Sequence, residues 1–138
     1  DQIESFFGSG YSEEDEKKIR LLQAEVLRAT GKDHSAQKIL EEIVRTHPLE
    51  GGALLMLGQI AWKQKEYAKA TLRFERSAKD SDYEVRALIE HARMMVSQNQ
   101  YEKASSLLER AQTIDPQPRV AKYLQSIKDL LASSSIRF

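Results

Sequence analysis

Cysteine is absent from the 138 residues, which excludes a disulfide framework and any thiolate metal site and leaves no mark of the compartment's redox state. Proline is nearly as scarce, with three in all, so few segments are barred from helix. Net charge is missing too: 21 Lys and Arg balance 21 Asp and Glu, and no global excess draws the chain to nucleic acid or an anionic membrane. The balance is uneven, because Asp1, Glu4, Glu13, Glu14, Asp15 and Glu16 are joined by no Lys or Arg within residues 1–16. The remainder is mildly and diffusely basic, without the stripe that a nucleic-acid partner requires. Long apolar runs are also lacking. Ala53 to Leu57 is among the longest, far short of the roughly 20 residues that span a bilayer, so no membrane insertion is expected. No Met opens the chain and no charged and apolar leader follows Asp1, which reads as a trimmed or processed chain. What is present is 41% apolar content over this length, enough for one core and one domain.

Patterns that carry chemistry are equally rare. His34, His47 and His91 lie far apart, without the i, i+4 spacing of a helical zinc pair, and read as surface or packing histidines. The stretch "GGALLMLG" opens with two glycines but has no Lys followed by Ser or Thr, and it follows Pro48, not a strand. Gly51 and Gly52 therefore read as turn residues. Glu41 and Glu42 are adjacent and point apart on a helix, which suits neither acid nor base work. No enzymatic activity, cofactor or metal is expected.

Repetition fills the space that chemistry leaves. "KQKEYAKA" at 63–70 returns as "SQNQYEKA" at 97–104, and a shift of 34 residues aligns far more of the chain. Ala24, Gly58 and Ala92 superpose, as do Ala36, Ala70 and Ala104, and Leu40, Phe74 and Leu108. Three units follow: 17–50, 51–84 and 85–118. Each carries apolar residues at spacings of three and four in two proline-free halves, which predicts two helices per unit. Gly31 and Asn99 mark the end of the first helix in units one and three, where a residue able to take positive φ is the usual stop; Lys65 holds that place in unit two without the advantage. Small residues let paired helices approach, and a bulky partner such as Phe74 wedges against the next unit.

A 34-residue period with small eighth and twentieth residues, a bulky twenty-fourth and Pro48 or Pro116 at the thirty-second resembles the tetratricopeptide repeat. Unit three resembles it most fully, through Leu88, Ala92, Tyr101, Ala104, Leu108, Ala111 and "IDP" at 114–116. Arg20 and Gln23 depart from the pattern in unit one, as do Ser77 and Asp82 in unit two. The resemblance implies an all-α, right-handed α-solenoid of antiparallel helix pairs. Its open end is expected to be closed by a capping helix over 119–132, where Val120, Leu124, Ile127 and Leu131 form an apolar stripe opposite Lys122, Gln125, Lys128 and Asp129. Ser12 and Asp15 read as a capping box, with the acidic run as a solvated first turn. Residues 133–138 read as a frayed tail. Residues 1–11, with Phe6, Phe7 and Tyr11 around Gly8, Ser9 and Gly10, read either as a segment folded back on the first helix pair or as a link to something upstream.

The resemblance also implies a concave groove lined by the first helix of each pair and filled by an extended peptide or a partner's helix. Carried over by position, its lining is Leu21, Glu25 and Arg28 from unit one, Leu55, Met56, Gln59 and Trp62 from unit two, and Arg86, Ile89 and Arg93 from unit three. Two readings stand for Trp62, a partner anchor or core packing, and likewise for Met56. Arg86 and Arg93 read as grips for an acidic partner or as a solvated face. Members that clamp a chaperone's C-terminal carboxylate place Lys, Asn and Arg where this chain has Leu21, Glu25, Met56, Arg86 and Glu90, so an apolar peptide or helix fits better. The expected function is a non-catalytic protein-interaction scaffold. The alternatives are homo-oligomerisation through Leu55, Met56 and Trp62, and an ancillary domain beside an upstream catalytic or anchoring part.

Overall fold

The computed structural model describes residues 12–136, and among these the chain forms α-helices and no strand. The helices are α1 (Glu13–Ala29), α2 (Asp33–Thr46), α3 (Gly51–Lys63), α4 (Tyr67–Ser77), α5 (Glu84–Ser97), α6 (Tyr101–Ile114) and α7 (Pro118–Ile136). They pair as hairpins α1–α2, α3–α4 and α5–α6, one for each copy of the repeated sequence, and α7 lies against α6. Each hairpin stacks on the next, and α3 also meets α5. The chain is thus an all-α solenoid closed by a terminal helix. The two readings of residues 1–11, and the end of the expected tail at 137 and 138, fall outside the described residues.

Local chemistry sets the helix ends. The Ser12 hydroxyl accepts from the Asp15 N–H at 3.1 Å, and four acidic residues occupy the first turn of α1, where the helix dipole favours them. The first helix of each hairpin ends on one device used three times. Gly31, Lys65 and Asn99, 34 residues apart, take φ of 81°, 62° and 60°. Behind each, the next N–H reaches back to the carbonyl of Leu27, Ala61 or Met95 at 2.7–2.8 Å, the bond that closes a helix over a left-handed residue. Lys65 thus adopts the conformation without a glycine's freedom.

Packing explains the small residues. A Cβ built on Gly58 would stand 2.6 Å from Phe74 Cε1, so the ring occupies the space that the missing side chain leaves. Phe74 also lies 5.9 Å from the His91 ring, and therefore fills its own hairpin and wedges the next one. One apolar cluster joins Ala24, Ala36, Leu40 and Ile43 to Met56, Leu57 and Ile60 across the first joint. A second runs from Ala70 and Phe74 through Ala92, Met94 and Leu108 to Val120 and Ile127 on α7.

Two expectations need correction. Gly51 and Gly52 are not a turn but the first residues of α3, and both are buried. A Cβ on Gly51 would meet Asp80 Cβ at 2.7 Å, and one on Gly52 would meet the Tyr83 hydroxyl at 2.8 Å, so the glycines admit the loop before α5. The same loop explains unit two's departures. Ser77 donates to the Gly51 carbonyl at 2.8 Å, while Asp80 accepts from the Gly51 N–H at 2.9 Å and from the Asp82 N–H at 3.1 Å. Alanine has no hydroxyl for the first bond, and proline has no N–H for the last. Finally, α7 continues to Ile136, past the expected end at 132, because no glycine or proline interrupts the serines there. Val120 and Ile127 are buried in it while Lys122, Gln125, Lys128 and Asp129 are exposed.

Candidate binding groove

The first helices of all three hairpins line one open hollow of about 330 Å³. α1 contributes Leu21, Glu25, Arg28 and Ala29; α3 contributes Gly52, Leu55, Met56 and Gln59; Tyr83 and Arg86 close the far side at the start of α5. Leu55 and Met56 are 2% and 7% exposed, so they form a floor and not projecting anchors. A Cβ on Gly52 would stand 2.8 Å from the Tyr83 hydroxyl, so the ring could keep this place only beside a glycine.

Charge sits on the walls. Arg28 is half-buried, donates from Nη1 to Gln59 Oε1 at 2.5 Å, and keeps Nε buried without a partner. Arg86 is exposed and lies 5.5 Å over the Tyr83 ring. Among the described residues no carboxylate lies within 4.0 Å of either guanidinium. Burial, and after it the Glu50 charge, pushes the Tyr83 hydroxyl above its ordinary value, so it remains a donor at neutral pH. Glu50 itself is occupied. It accepts from the Gly52 N–H at 3.2 Å and from Lys17 Nζ at 2.8 Å.

Seven of the ten residues expected in the groove meet in this hollow: Leu21, Glu25, Arg28, Leu55, Met56, Gln59 and Arg86. Trp62 and Ile89 do not line it; both are half-buried against the cluster that joins units two and three. Arg93 is exposed and paired with Glu90 at 3.1 Å. Ala29 and Tyr83 were not anticipated. The doubled glycine was the available signal, since a helix start that tolerates no side chain implies a close neighbour.

A second hollow, on the α4, α5 and α6 side, is lined by Phe74, Glu84, His91 and Arg110 among others. Burial pushes the His91 imidazole below its ordinary value, opposed by Glu75 and reinforced by Arg110 and Lys103. Among the described residues no group of three or more His, Cys, Asp or Glu is placed to hold a metal ion, and no helix is long and apolar enough to cross a membrane.

Comparison with known families agrees with this architecture. Residues 19–49 match one family model described as tetratricopeptide repeat, and residues 85–118 match a second with the same description. Residues 19–49 and 85–118 thus carry tetratricopeptide repeats, in the first and third of the stacked hairpins. Comparison with curated proteins finds no match. Tetratricopeptide repeats are generally protein–protein interaction modules and are typically non-catalytic scaffolds that bind proteins or peptides.

Proposed function

We propose that this chain is a non-catalytic scaffold whose hollow between α1, α3 and α5 takes an extended peptide or partner helix bearing an acidic residue next to an apolar one. The observation that carries the reading is the pair Arg28 and Arg86, which face one hollow from two helices without an acidic partner. A guanidinium recognises a carboxylate through two parallel bonds, and partial burial strengthens the pairing. Leu21, Leu55 and Met56 offer the neighbouring apolar side chain an apolar floor. Tyr83 and the two arginines are residue types that concentrate binding energy at interfaces.

Self-association through Leu55, Met56 and Trp62 is less well supported, because the first two are already buried and the third packs on the core. Trp62 is given a stabilising role in this reading.

Fluorescence polarisation with labelled ten-residue peptides, in which Leu alternates with Glu, Lys or Ser, tests the proposal. The Glu peptide should bind best, and Arg28→Gln with Arg86→Gln should weaken it by about tenfold or more. Equal binding of all three peptides, or of the variant and the parent protein, would overturn it.

A further inference from the structure

Two charged groups outside the lining of the hollow decide its electrostatic balance. Within the lining, Arg28 and Arg86 are positive and Glu25 is negative, which leaves an excess of one positive charge at neutral pH. Glu50 stands directly behind this wall. Its Oε1 would lie 3.3 Å from a Cβ on Gly52, the same atom that would meet the Tyr83 hydroxyl at 2.8 Å, so carboxylate and phenol share the space of one missing side chain. The Glu50 charge is felt at that phenol, second only to burial in pushing the hydroxyl upward, and Arg86 lies 5.5 Å over the same ring. Left alone, the carboxylate would cancel the excess. It is also fixed in place, because Oε1 accepts from the Gly52 N–H at 3.2 Å at the start of α3. Lys17 on α1 answers it. Its Nζ lies 2.8 Å from Glu50 Oε2 and 3.1 Å from Glu14 Oε2, and the Lys17 and Glu50 side chains are 14% and 10% exposed, so little water screens the pair. The bond to Glu50 pushes the Lys17 ammonium above its ordinary value against the opposing effect of burial, and its charge is therefore present throughout the neutral range.

We propose that Lys17 is a positioning residue that sets the specificity of the hollow: by holding and cancelling the Glu50 carboxylate behind Gly52 and Tyr83, it keeps the wall positive and so selects an acidic ligand residue over a neutral or basic one. The inference rests on the groove reading. Lys17 lies outside the lining and acts through Glu50, not by touching the ligand. Without its ammonium, the carboxylates of Glu25 and Glu50 would stand against the guanidiniums of Arg28 and Arg86, and the hollow would have no net preference for charge of either sign.

A double-mutant cycle on the full chain, read by fluorescence polarisation with the alternating Glu, Ser and Lys peptides, tests it. Lys17→Met removes the ammonium, Glu50→Gln removes the carboxylate, and the double variant removes both. Glu50→Gln keeps the Gly52 bond through its amide oxygen and leaves Lys17 paired with Glu14, so this arm folds whatever the fate of Lys17→Met. Lys17→Met should weaken the Glu peptide by about threefold or more and Glu50→Gln should tighten it by about as much, with both signs reversed for the Lys peptide and the Ser peptide little changed. The double variant should match the parent within about twofold, since the two charges cancel. A pair that only holds the fold together would instead weaken every peptide in every variant. That result, or a Glu50→Gln chain that binds the Glu peptide no tighter than the parent, would overturn the proposal. A parent chain indifferent to the three peptides would overturn the groove reading and this inference with it, and is told apart because the failure then precedes any substitution.

Discussion

Helices α1 and α3 hold equivalent places in successive units, yet α3 buries ten of its thirteen residues while Ala24 is the buried residue of α1. The difference comes from neighbours and not from helix chemistry. α3 has hairpins on both sides, whereas α1 is flanked on one side among the described residues. In a stacked fold, burial belongs to the joint between units. The candidate groove inherits this contrast, since α3 supplies the buried floor of Leu55 and Met56 and α1 supplies the polar wall of Glu25 and Arg28.

The contrast can be broken most severely at Gly58. Gly58→Val places a methyl-bearing carbon about where the Phe74 ring lies, and Phe74 is 1% exposed. A loss of more than about 3 kcal/mol is expected in urea unfolding. On α1, exposed Glu25→Ala should change stability by less than about 0.5 kcal/mol. Equal losses at the two sites would erase the distinction. Trp62→Ala should come next, at about 2–4 kcal/mol, because the indole packs on the core cluster. A loss confined to peptide binding would instead return Trp62 to the groove.

His91 sharpens the comparison through pH. Its folded-state pKa is depressed, so the unfolded chain takes up the proton first as pH falls. Its contribution is therefore complete above the unfolded value near 6.5 and is lost as pH drops through that value towards the folded one. Thermal unfolding from pH 7.5 to 5 should show that loss, and His91→Leu should flatten it. A slope unchanged by the substitution would assign the effect to other groups. The smallest effects lie at the helix stops. A Cβ on Gly31 would meet nothing within 4 Å, but the residue's φ is 81°, so Gly31→Ala should cost about 1 kcal/mol from backbone strain alone. Lys65→Gly should gain about 0.5 kcal/mol by relieving the same strain. Calorimetry on the two variants should show opposite signs.

The period and the helix pairs were legible because the same physical demand is written three times. A space left by Ala24, Gly58 or Ala92 recurs with a bulky partner in each unit. Most of the groove was legible for the same reason, since places along one helix face follow from the period. Tyr83 was not, because its position over Gly52 arises from how α5 stacks on α3, a contact between residues 31 apart that no local pattern records. Gly51 and Gly52 misled because glycine commonly marks a turn, whereas here it clears room for Asp80 and Tyr83. Trp62 shows the limit of position-based transfer, since a large ring near a helix end settles on whichever neighbour lies closer.

The central claim is that the hairpins nest because a ring occupies the place of a missing side chain. Nuclear Overhauser spectroscopy on the folded chain tests it most directly. Strong cross-peaks should join the Phe74 ring protons to the Gly58 Hα protons and to the His91 ring, with the Gly58 protons displaced by the ring current. Phe74 peaks to solvent-exposed positions, with none to Gly58, would contradict it.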